Sequence, residues 1–516
     1  MDIIKERFQG SQFVRSSGEG SFGNNLYRSH ATKYLLMTML LIAFLPRLWL
    51  LANVSRIGLG VDELQSVTYA NLPLGELLQS VKLFDPHPPL YYIQLHFWMY
   101  LGSSDLWLKS NSVLWSVLTI VSLYFIASRI FNRQVALLAG TFFSIAAFSI
   151  SYSVEVRMYA FLMLLGVWVY YFTHQIRSGR NVLWTGLGLL LTQLAFLYTH
   201  GAGFLIYASV ISYAIPYALF RKRRQLVNAN DYIVLGTIQI MTLIVYLPWI
   251  FRAIDVHVGH TIIPGLRDLA VTFAQLLFGA MIVMVESQEI VLGFALILMV
   301  LISVLIFINR KSRILAVAFV IIPVIVTITV SHLVRPIWVT WTLAYVLPFL
   351  SLGIAIFTAE ILNSITALYA NSAKLLSGML LVGILWFSSL TSIFYQQYSY
   401  SPWSPLKSAI ELVTQNANPG DIILVPQVRV FWGVSWYYLG PGSFHPLEPD
   451  YLVPTEDGVW LISAPELLKI NGDGLTYWII YRMSDDTSIL EKYDQAERQV
   501  MGTYNNVIVE RVQISE

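Results

Sequence analysis

Hydrophobic positions in this chain fall in long unbroken runs rather than in alternation. Stretches of roughly 18 to 22 apolar residues, the length that crosses a bilayer as a helix, begin near Tyr34, Leu108, Val135, Met158, Val182, Ala202, Tyr232, Ile290, Ile314, Thr340 and Leu375. The pattern predicts a polytopic α-helical membrane protein with about eleven transmembrane helices, because only helices or closed barrels satisfy backbone polar groups in lipid. The apolar run at 90–101 is about a dozen residues long, short for a crossing and typical of an interfacial or re-entrant helix.

The polar punctuation sets the sidedness, since cytoplasmic loops carry the excess of Lys and Arg. With the amino terminus inside, Arg129 and Arg133, Arg177 and Arg180, the basic cluster at 221–224, the pair Arg310 and Arg313, and Lys374 all fall on the cytoplasmic side. A crossing at 90–101 would turn the next four clusters outward. Residues 1–33 are polar, with Lys5, Arg7, Arg15 and Arg28, and read as a cytoplasmic tail rather than a cleavable signal peptide. The same alternation puts 53–107, 153–157, 200–201, 253–289, 332–339 and everything after about residue 396 outside. Residues 34–396 therefore read as a multi-span domain with a first outer loop at 53–107. Residues 397–516 read as a small extracytoplasmic α/β domain, with a helix at 405–415 and strands at 422–425, 459–462, 478–481 and 507–512. The whole is expected as a multi-pass protein of the cell (inner) membrane, with its site and its carboxy-terminal domain on the extracytoplasmic side.

Composition agrees with lipid as the main solvent. Of 516 residues, 56% are hydrophobic and only 12% charged, and the mean hydropathy is +0.63. Aromatics reach 14%, with 15 Trp and 29 Tyr, which suits many helix ends at the membrane interface. The absence of cysteine from the sequence excludes disulfides, thiolate metal sites and Cys nucleophiles. A net charge of +2 says little about partners, and nucleic acid is not expected among them.

The chemically suggestive residues gather in the segments placed outside. Asp62 and Glu63 follow the first span in Gly58-Leu59-Gly60-Val61-Asp62-Glu63-Leu64; adjacent acids near a membrane read as functional or as a solvated loop in which Asp62 caps a helix beginning at Glu63. In Asp85-Pro86-His87-Pro88-Pro89-Leu90-Tyr91-Tyr92 the prolines open the short helix with His87 at its cap. That helix N-terminus suits a phosphate, or the turn simply starts an interfacial helix. In Tyr152-Ser153-Val154-Glu155-Val156-Arg157-Met158-Tyr159 an extended backbone projects Glu155, Arg157 and Tyr159 from one side; the alternative is an interfacial anchor. His200 in Tyr198-Thr199-His200, and His332 with Arg335 before Pro336, are weaker on their own.

Taken together, the D-E pair after the first span, H-P-P-L-Y-Y before a short helix, Y-S-x-E-x-R-M-Y between spans and Y-T-H-G at a later helix end resemble bacterial multi-pass C-type glycosyltransferases. The likeness is to the lipopolysaccharide mannosyl-, galacturonosyl- and aminoarabinosyltransferases, related to protein O-mannosyltransferases. It covers roughly residues 34–360, and the P-G-D-x-I-L run at 419–424 looks like the start of the extracytoplasmic domain that some members carry. The resemblance implies inverting transfer of a sugar from a polyprenyl-phosphate donor to a lipid, glycan or protein acceptor at the outer face. It implies Asp62 as general base with Glu63 as its acidic neighbour, and His87, Glu155, Arg157, Tyr159 and His200 around the donor. Where members commonly carry an Arg-Tyr pair in the late loop, this chain has Trp341 and Thr342, which leaves Arg335 as the substitute. Some relatives use a divalent metal and others do not, so the metal is left open. The rival reading is a transporter or lipid flippase, a class that places ionisable groups near mid-membrane on broken, repeated helices. Here the expected spans are nearly free of charge and no internal repeat is visible.

Overall fold

The computed structural model describes residues 21–178, 182–222, 229–255, 261–278, 293, 310–366, 406–441, 443, 446, 452–454, 459–463, 476–483, 497–504 and 507–513. The helices of the first part are α1 (Ser21–Ile57), α2 (Val61–Asn71), α3 (Leu74–Phe84), α4 (Leu90–Met99), α5 (Asp105–Ile130), α6 (Arg133–Ile145), α7 (Ala147–Ser151), α8 (Tyr159–Arg177), α9 (Val182–Leu197), α10 (Phe204–Lys222), α11 (Ala229–Asp255) and α12 (Leu266–Phe278). After them come α13 (Arg310–Ala316), a π-turn (Val317–Ile321), α14 (Ile322–Leu333), a 3-10 helix (Thr340–Val346) and α15 (Leu347–Thr366).

Five stretches of the described helices are long and apolar enough to cross a membrane: Leu36–Asn53, Asp105–Ile130, Ile233–Arg252, Arg313–Leu333 and Thr340–Glu360. Shorter apolar helices occupy Arg133–Ile145, Leu183–Leu197 and Phe204–Ala214. The protein is a multi-pass membrane protein on this count. The spans expected near Ile290 and Leu375 lie outside the described residues. The run at 90–101 forms the ten-residue helix α4, too short to cross a bilayer core about 30 Å thick. Residues 21–33, expected as tail, belong to α1.

The run beginning near Val135 breaks at Ala146, leaving α6 only 13 residues long, and the cause lies in another helix. Arg47, in the span of α1, is fully buried. Its guanidinium donates to the carbonyls of Ala43 (2.7 Å) and Ser144 (2.9 Å) and to the hydroxyls of Ser116 (3.0 Å) and Ser149 (2.7 Å). A helix end in a dry interior leaves carbonyls that need donors, and Arg47 supplies one at Ser144. The charge among the expected spans is therefore a bolt between α1, α5, α6 and α7, and α7 leads directly into the loop at 152–158.

The carboxy-terminal part holds α16 (Leu406–Asn416), α17 (Val428–Tyr438) and strands β1 (Ile422–Val425), β2 (Leu452–Pro454), β3 (Trp460–Ser463), β4 (Thr476–Arg482), β5 (Glu497–Tyr504) and β6 (Val507–Gln513). The sheet order is β2-β3-β1-β4-β6-β5. Central β1 runs parallel to β3 and β4, while β2 and the β6–β5 pair are antiparallel to their neighbours. Fully buried Ile422–Val425 has the continuous apolar character of a strand covered on both faces. Strands β1, β3, β4 and β6 and helix α16 match the elements expected from sequence; β2, β5 and α17 do not appear in that expectation. The outer face of β5 is largely exposed and lacks apolar alternation, and α17 is rich in aromatic and β-branched residues that favour strands.

Replacing Arg47 by Met removes the four hydrogen bonds and leaves Ser144 O and two hydroxyls unpaired in the interior. Unfolding of the detergent-solubilised variant should show a loss on the order of 3 kcal/mol or more; an unchanged melting curve would mean that the break at Ala146 is held by other contacts.

Candidate functional site

The site is built around the amino-terminal end of α2. Gly58 has φ +94°, a conformation open to glycine at little cost, and it turns the chain out of α1. Gly60, not Asp62, is the N-cap. Glu63 reaches back to the Gly60 N–H at 2.7 Å, the return half of a capping box. Asp62, in the first turn of α2, is solvent-exposed, whereas Glu63 is buried. Both Glu63 oxygens also accept from Lys109 Nζ, at 2.7 and 2.8 Å, and Oε1 accepts the Val156 N–H at 2.7 Å. Glu63 thus ties α2 to α5 and to the loop at 152–158, and its carboxylate is fully engaged in doing so.

That loop is a chain of tight turns rather than the extended stretch expected from its sequence. Ser153 and Val154 N–H bond back to Ile150 O and Ser151 O, and Arg157 N–H bonds to Glu155 O at 2.7 Å. Ser112 Oγ also donates to Glu155 O, at 2.5 Å. The turns arise because the loop's backbone groups find partners in α5, α7 and Glu63, with no neighbouring strand to pair them. Arg157 is folded back onto α2, where Nη1 donates to Asp62 O (3.2 Å) and Ser66 Oγ (3.1 Å). Its Nε is buried without a hydrogen-bond partner. Glu155 is pushed up to about 8 by burial, then by Glu63, with Arg157 opposing and Asp62 adding to the rise. The Tyr159 ring meets Tyr152 edge-on at 4.9 Å and stands 6.0 Å from the His200 ring.

Two further turns complete the cluster. Buried Asp85 accepts the His87 N–H (2.7 Å) and Gln65 Nε2 (2.9 Å), so the turn before α4 is fastened to α2. Burial pushes Asp85 up, with Arg157 opposing. The N-cap of α4 is Pro89 rather than His87, and the Leu90 N–H is taken by Tyr198 O at 2.9 Å. His87 instead faces the turn at 198–203, where its Nδ1 accepts the Gly201 N–H at 3.2 Å. The His87 and His200 rings lie 4.5 Å apart. His200 Nδ1 accepts the Ala202 N–H at 3.0 Å, and its Nε2 is buried without a partner. Burial, reinforced by Arg157, pushes His200 down to about 3. It is therefore a neutral imidazole at ordinary pH, and with Nδ1 accepting, Nε2 carries the hydrogen.

The structure thus brings Asp62, Glu63, His87, Glu155, Arg157, Tyr159 and His200 into one neighbourhood. Arg335 lies beyond α14, with its N–H bonded to Val330 O at 3.0 Å, and the bonds just described do not include it. Thr342 donates to Ile337 O at 3.1 Å, within its own segment. Sequence reasoning missed Lys109, which reads as an interfacial lysine at the mouth of a span, and Asp85, which was visible in its motif but given no role. It also missed Arg252 of α11, whose Nη2 donates to Val81 O (2.9 Å) and whose Nε donates to Lys82 O. Those bonds close the end of α3 that delivers Asp85. Among the described residues no group of three or more His, Asp or Glu side chains converges as a metal site.

A double-mutant cycle tests Glu63 as an anchor. Lys109→Met alone leaves a buried carboxylate without its cation and should destabilise by about 3–5 kcal/mol, and the pair Lys109→Met with Glu63→Gln should recover part of that loss. Additive effects in denaturant unfolding would show the two side chains to be uncoupled.

With the geometry in hand, likenesses to known proteins can be placed on it. Residues 86–251 match the dolichyl-phosphate-mannose-protein mannosyltransferase family. No curated protein matches the chain. The fold is similar to ArnT from Cupriavidus metallidurans in the apo state, at TM-score 0.54 and 14% identity, over 94% of this chain and 98% of that one. The same protein bound to undecaprenyl phosphate matches at TM-score 0.53 and 13% identity, over 94% and 98%. The family match spans the motifs around His87, Arg157 and His200, and the fold shared with ArnT extends over 94% of the chain.

Proposed function

We propose that the chain transfers a sugar, with inversion, from a polyprenyl-phosphate donor to the hydroxyl of a lipid, glycan or protein acceptor at the extracytoplasmic face of the inner membrane. The observation that carries this reading is an exposed carboxylate on the same cluster as buried donors that have no partner. Asp62 is open to solvent, while Arg157 Nε, on a side chain bonded to the Asp62 carbonyl, and His200 Nε2, on a ring 6.0 Å from that of Tyr159, are buried with no partner of their own. Buried donors without acceptors are costly, and a phosphate oxyanion is the group that would satisfy them. ArnT, of the same fold, has been crystallised with undecaprenyl phosphate, which supports the same class of donor here. An apolar groove of about 470 Å³ runs between α9, α10 and α11, lined by residues such as Leu197, Phe204, Tyr207, Leu243 and Tyr246. Leu197 and Phe204 flank the His200 turn, which supports the groove as the path of a prenyl tail leaving the phosphate.

In the proposed reaction the polyprenyl phosphate departs with its negative charge held by Arg157 and by the neutral N–H of His200, with His87 and Tyr159 shaping the pocket and Arg335 as a further phosphate contact. Fixed donors in a dry site stabilise developing charge without reorganising. The acceptor hydroxyl loses its proton to Asp62 as it attacks the anomeric carbon from the face opposite the phosphate, which inverts that centre. General-base help of this kind is worth roughly a hundred- to ten-thousandfold. Glu63, fully bonded, positions Asp62 and does not share in the proton transfer.

Asp62→Asn should lower transfer by about a hundredfold or more, read as release of free polyprenyl phosphate from a panel of labelled polyprenyl-phosphate sugars supplied with a membrane extract. Undiminished release in a folded variant would remove Asp62 as the base.

The elevated Glu155 gives a pH prediction. A carboxyl raised in the fold to about 8 binds its proton more tightly folded than unfolded, so its contribution to stability is present at low pH and is lost as pH climbs to about 8. Ionisation there also places an anion beside the donor phosphate. Donor affinity should fall above about pH 8 in the wild type, and Glu155→Gln should remove that alkaline limb. Identical pH profiles for the two proteins would exclude Glu155 as its origin.

A further inference from the structure

We propose that Tyr437, from the carboxy-terminal domain, is a positioning residue for transfer: its phenol fixes the 58–60 turn and thereby the placement of the Asp62 carboxylate. The inference rests on Asp62 as the base.

The turn between α1 and α2 is held from outside the membrane domain. Gly60 spends its N–H on Glu63, and the Leu59 N–H donates to the Tyr437 hydroxyl oxygen at 2.5 Å. The Tyr437 O–H in turn donates to Asp105 Oδ1 at 3.3 Å, and Asp105 Oδ2 pairs with Lys407 Nζ at 3.0 Å. Asp105 therefore sets the direction of the hydroxyl hydrogen, which leaves a lone pair aimed at Leu59. Burial, followed by Asp105, holds the phenol well above its ordinary range, so it stays protonated and this orientation persists with pH. The approach is close: a Cβ on Gly58 would stand 2.7 Å from the Tyr437 oxygen and 3.0 Å from Lys407 Cβ.

The contact is part of a wider docking of α17 on α2. A Cβ on Gly433 would fall 2.6 Å from Leu64 Cδ1, and Trp432 meets Tyr69 edge-on at 5.8 Å. Asp105 and Lys109 lie one turn apart on α5. Two clamps therefore refer α2 to the same helix: Glu63 to Lys109 on one side of Asp62 in sequence, and Leu59 through Tyr437 to Asp105 on the other. Removing the phenol hydroxyl leaves the 58–60 turn tied only through Glu63 and, one residue further on, through the Arg157 bond to the Asp62 carbonyl. Arg157 keeps its bond to Ser66 Oγ within α2 and His200 sits on a separate turn, so the cost falls on the base more than on donor binding.

The test uses the full-length protein in detergent and the donor that the wild type consumes. Tyr437→Phe keeps the ring and deletes the hydroxyl. It should lower kcat by about 10- to 100-fold, leave donor KM within about twofold, and raise hydrogen exchange at the Leu59 amide. Wild-type kcat overturns the proposal, as does a parallel loss of donor affinity and thermal stability, which marks a merely structural contact. If Tyr437→Phe does not fold, Asp105→Ala removes the hydroxyl's acceptor while keeping the phenol, and the same selective loss of kcat is expected; full kcat there also overturns it. Asp62→Asn separates the two readings: an active Asp62→Asn defeats the base assignment, whereas an inactive Asp62→Asn beside a fully active Tyr437→Phe defeats the positioning role alone.

Discussion

The constraint on which the rest of the structure depends is the burial of Glu63 against Lys109. Neither charge has solvent to fall back on, so each is tolerable only with the other in place. The remaining lone pairs of the carboxylate are filled by the N–H groups of Gly60 and Val156. One side chain thereby fixes the start of α2, the amino-terminal end of α5 and the middle of the 152–158 loop. Asp62 and Arg157 are carried by those elements, so their relation to each other is set by a residue adjacent to both in space and chemically committed elsewhere.

Around that anchor, the architecture delivers each segment of the candidate site from a different helix end and fastens it with a bond separate from the proposed chemistry. Arg47 ends α6 and starts α7, which feeds the 152–158 loop. Arg252 closes α3, which feeds Asp85. Asp85 holds both His87 and Gln65, and the Leu90–Tyr198 backbone bond couples α4 to the His200 turn. The recurring device is an arginine or carboxylate that saturates backbone groups at a break in a helix. Such groups must find partners away from water, and ionised side chains make stronger hydrogen bonds than neutral ones.

The convergence of the site was legible in the sequence, and its geometry was not. Apolar runs and basic loops sort the chain into sides, and that sorting alone puts Asp62, His87, Arg157 and His200 in segments that the structure brings together. What the sequence could not carry was the division of labour between neighbours. Asp62 and Glu63 are chemically alike on paper, and only burial makes one a solvent-facing carboxylate and the other an anchor. Lys109 and Arg47 look like an interfacial anchor and a stray charge because their partners lie 46 and 102 positions away. The 152–158 loop reads as extended because residue spacing says nothing about which distant groups will accept its N–H donors. In the carboxy-terminal sheet the buried central strands announce themselves by composition, whereas exposed β5 does not.

The contrast between a wet carboxylate and a dry donor pocket has a consequence for how charge is handled. His200 is kept neutral by burial and by Arg157, so the pocket holds one fixed cation and a polar N–H rather than two cations. In the proposed reaction two full positive charges would bind the donor and the departing polyprenyl phosphate tightly alike, and uniform binding of that kind does not raise turnover. A neutral hydrogen-bond donor beside a single cation responds more to the direction and amount of charge on the leaving oxygen than to its mere presence. In the proposed reaction Asp62, placed in solvent, can exchange its proton with bulk water between turnovers, while Glu155, raised by burial and then by Glu63, avoids adding an anion beside the phosphate. On the proposed reading, burial thus assigns four ionisable groups to four separate tasks: Glu63 as clamp, Asp62 as base, Arg157 as cation and His200 as neutral donor.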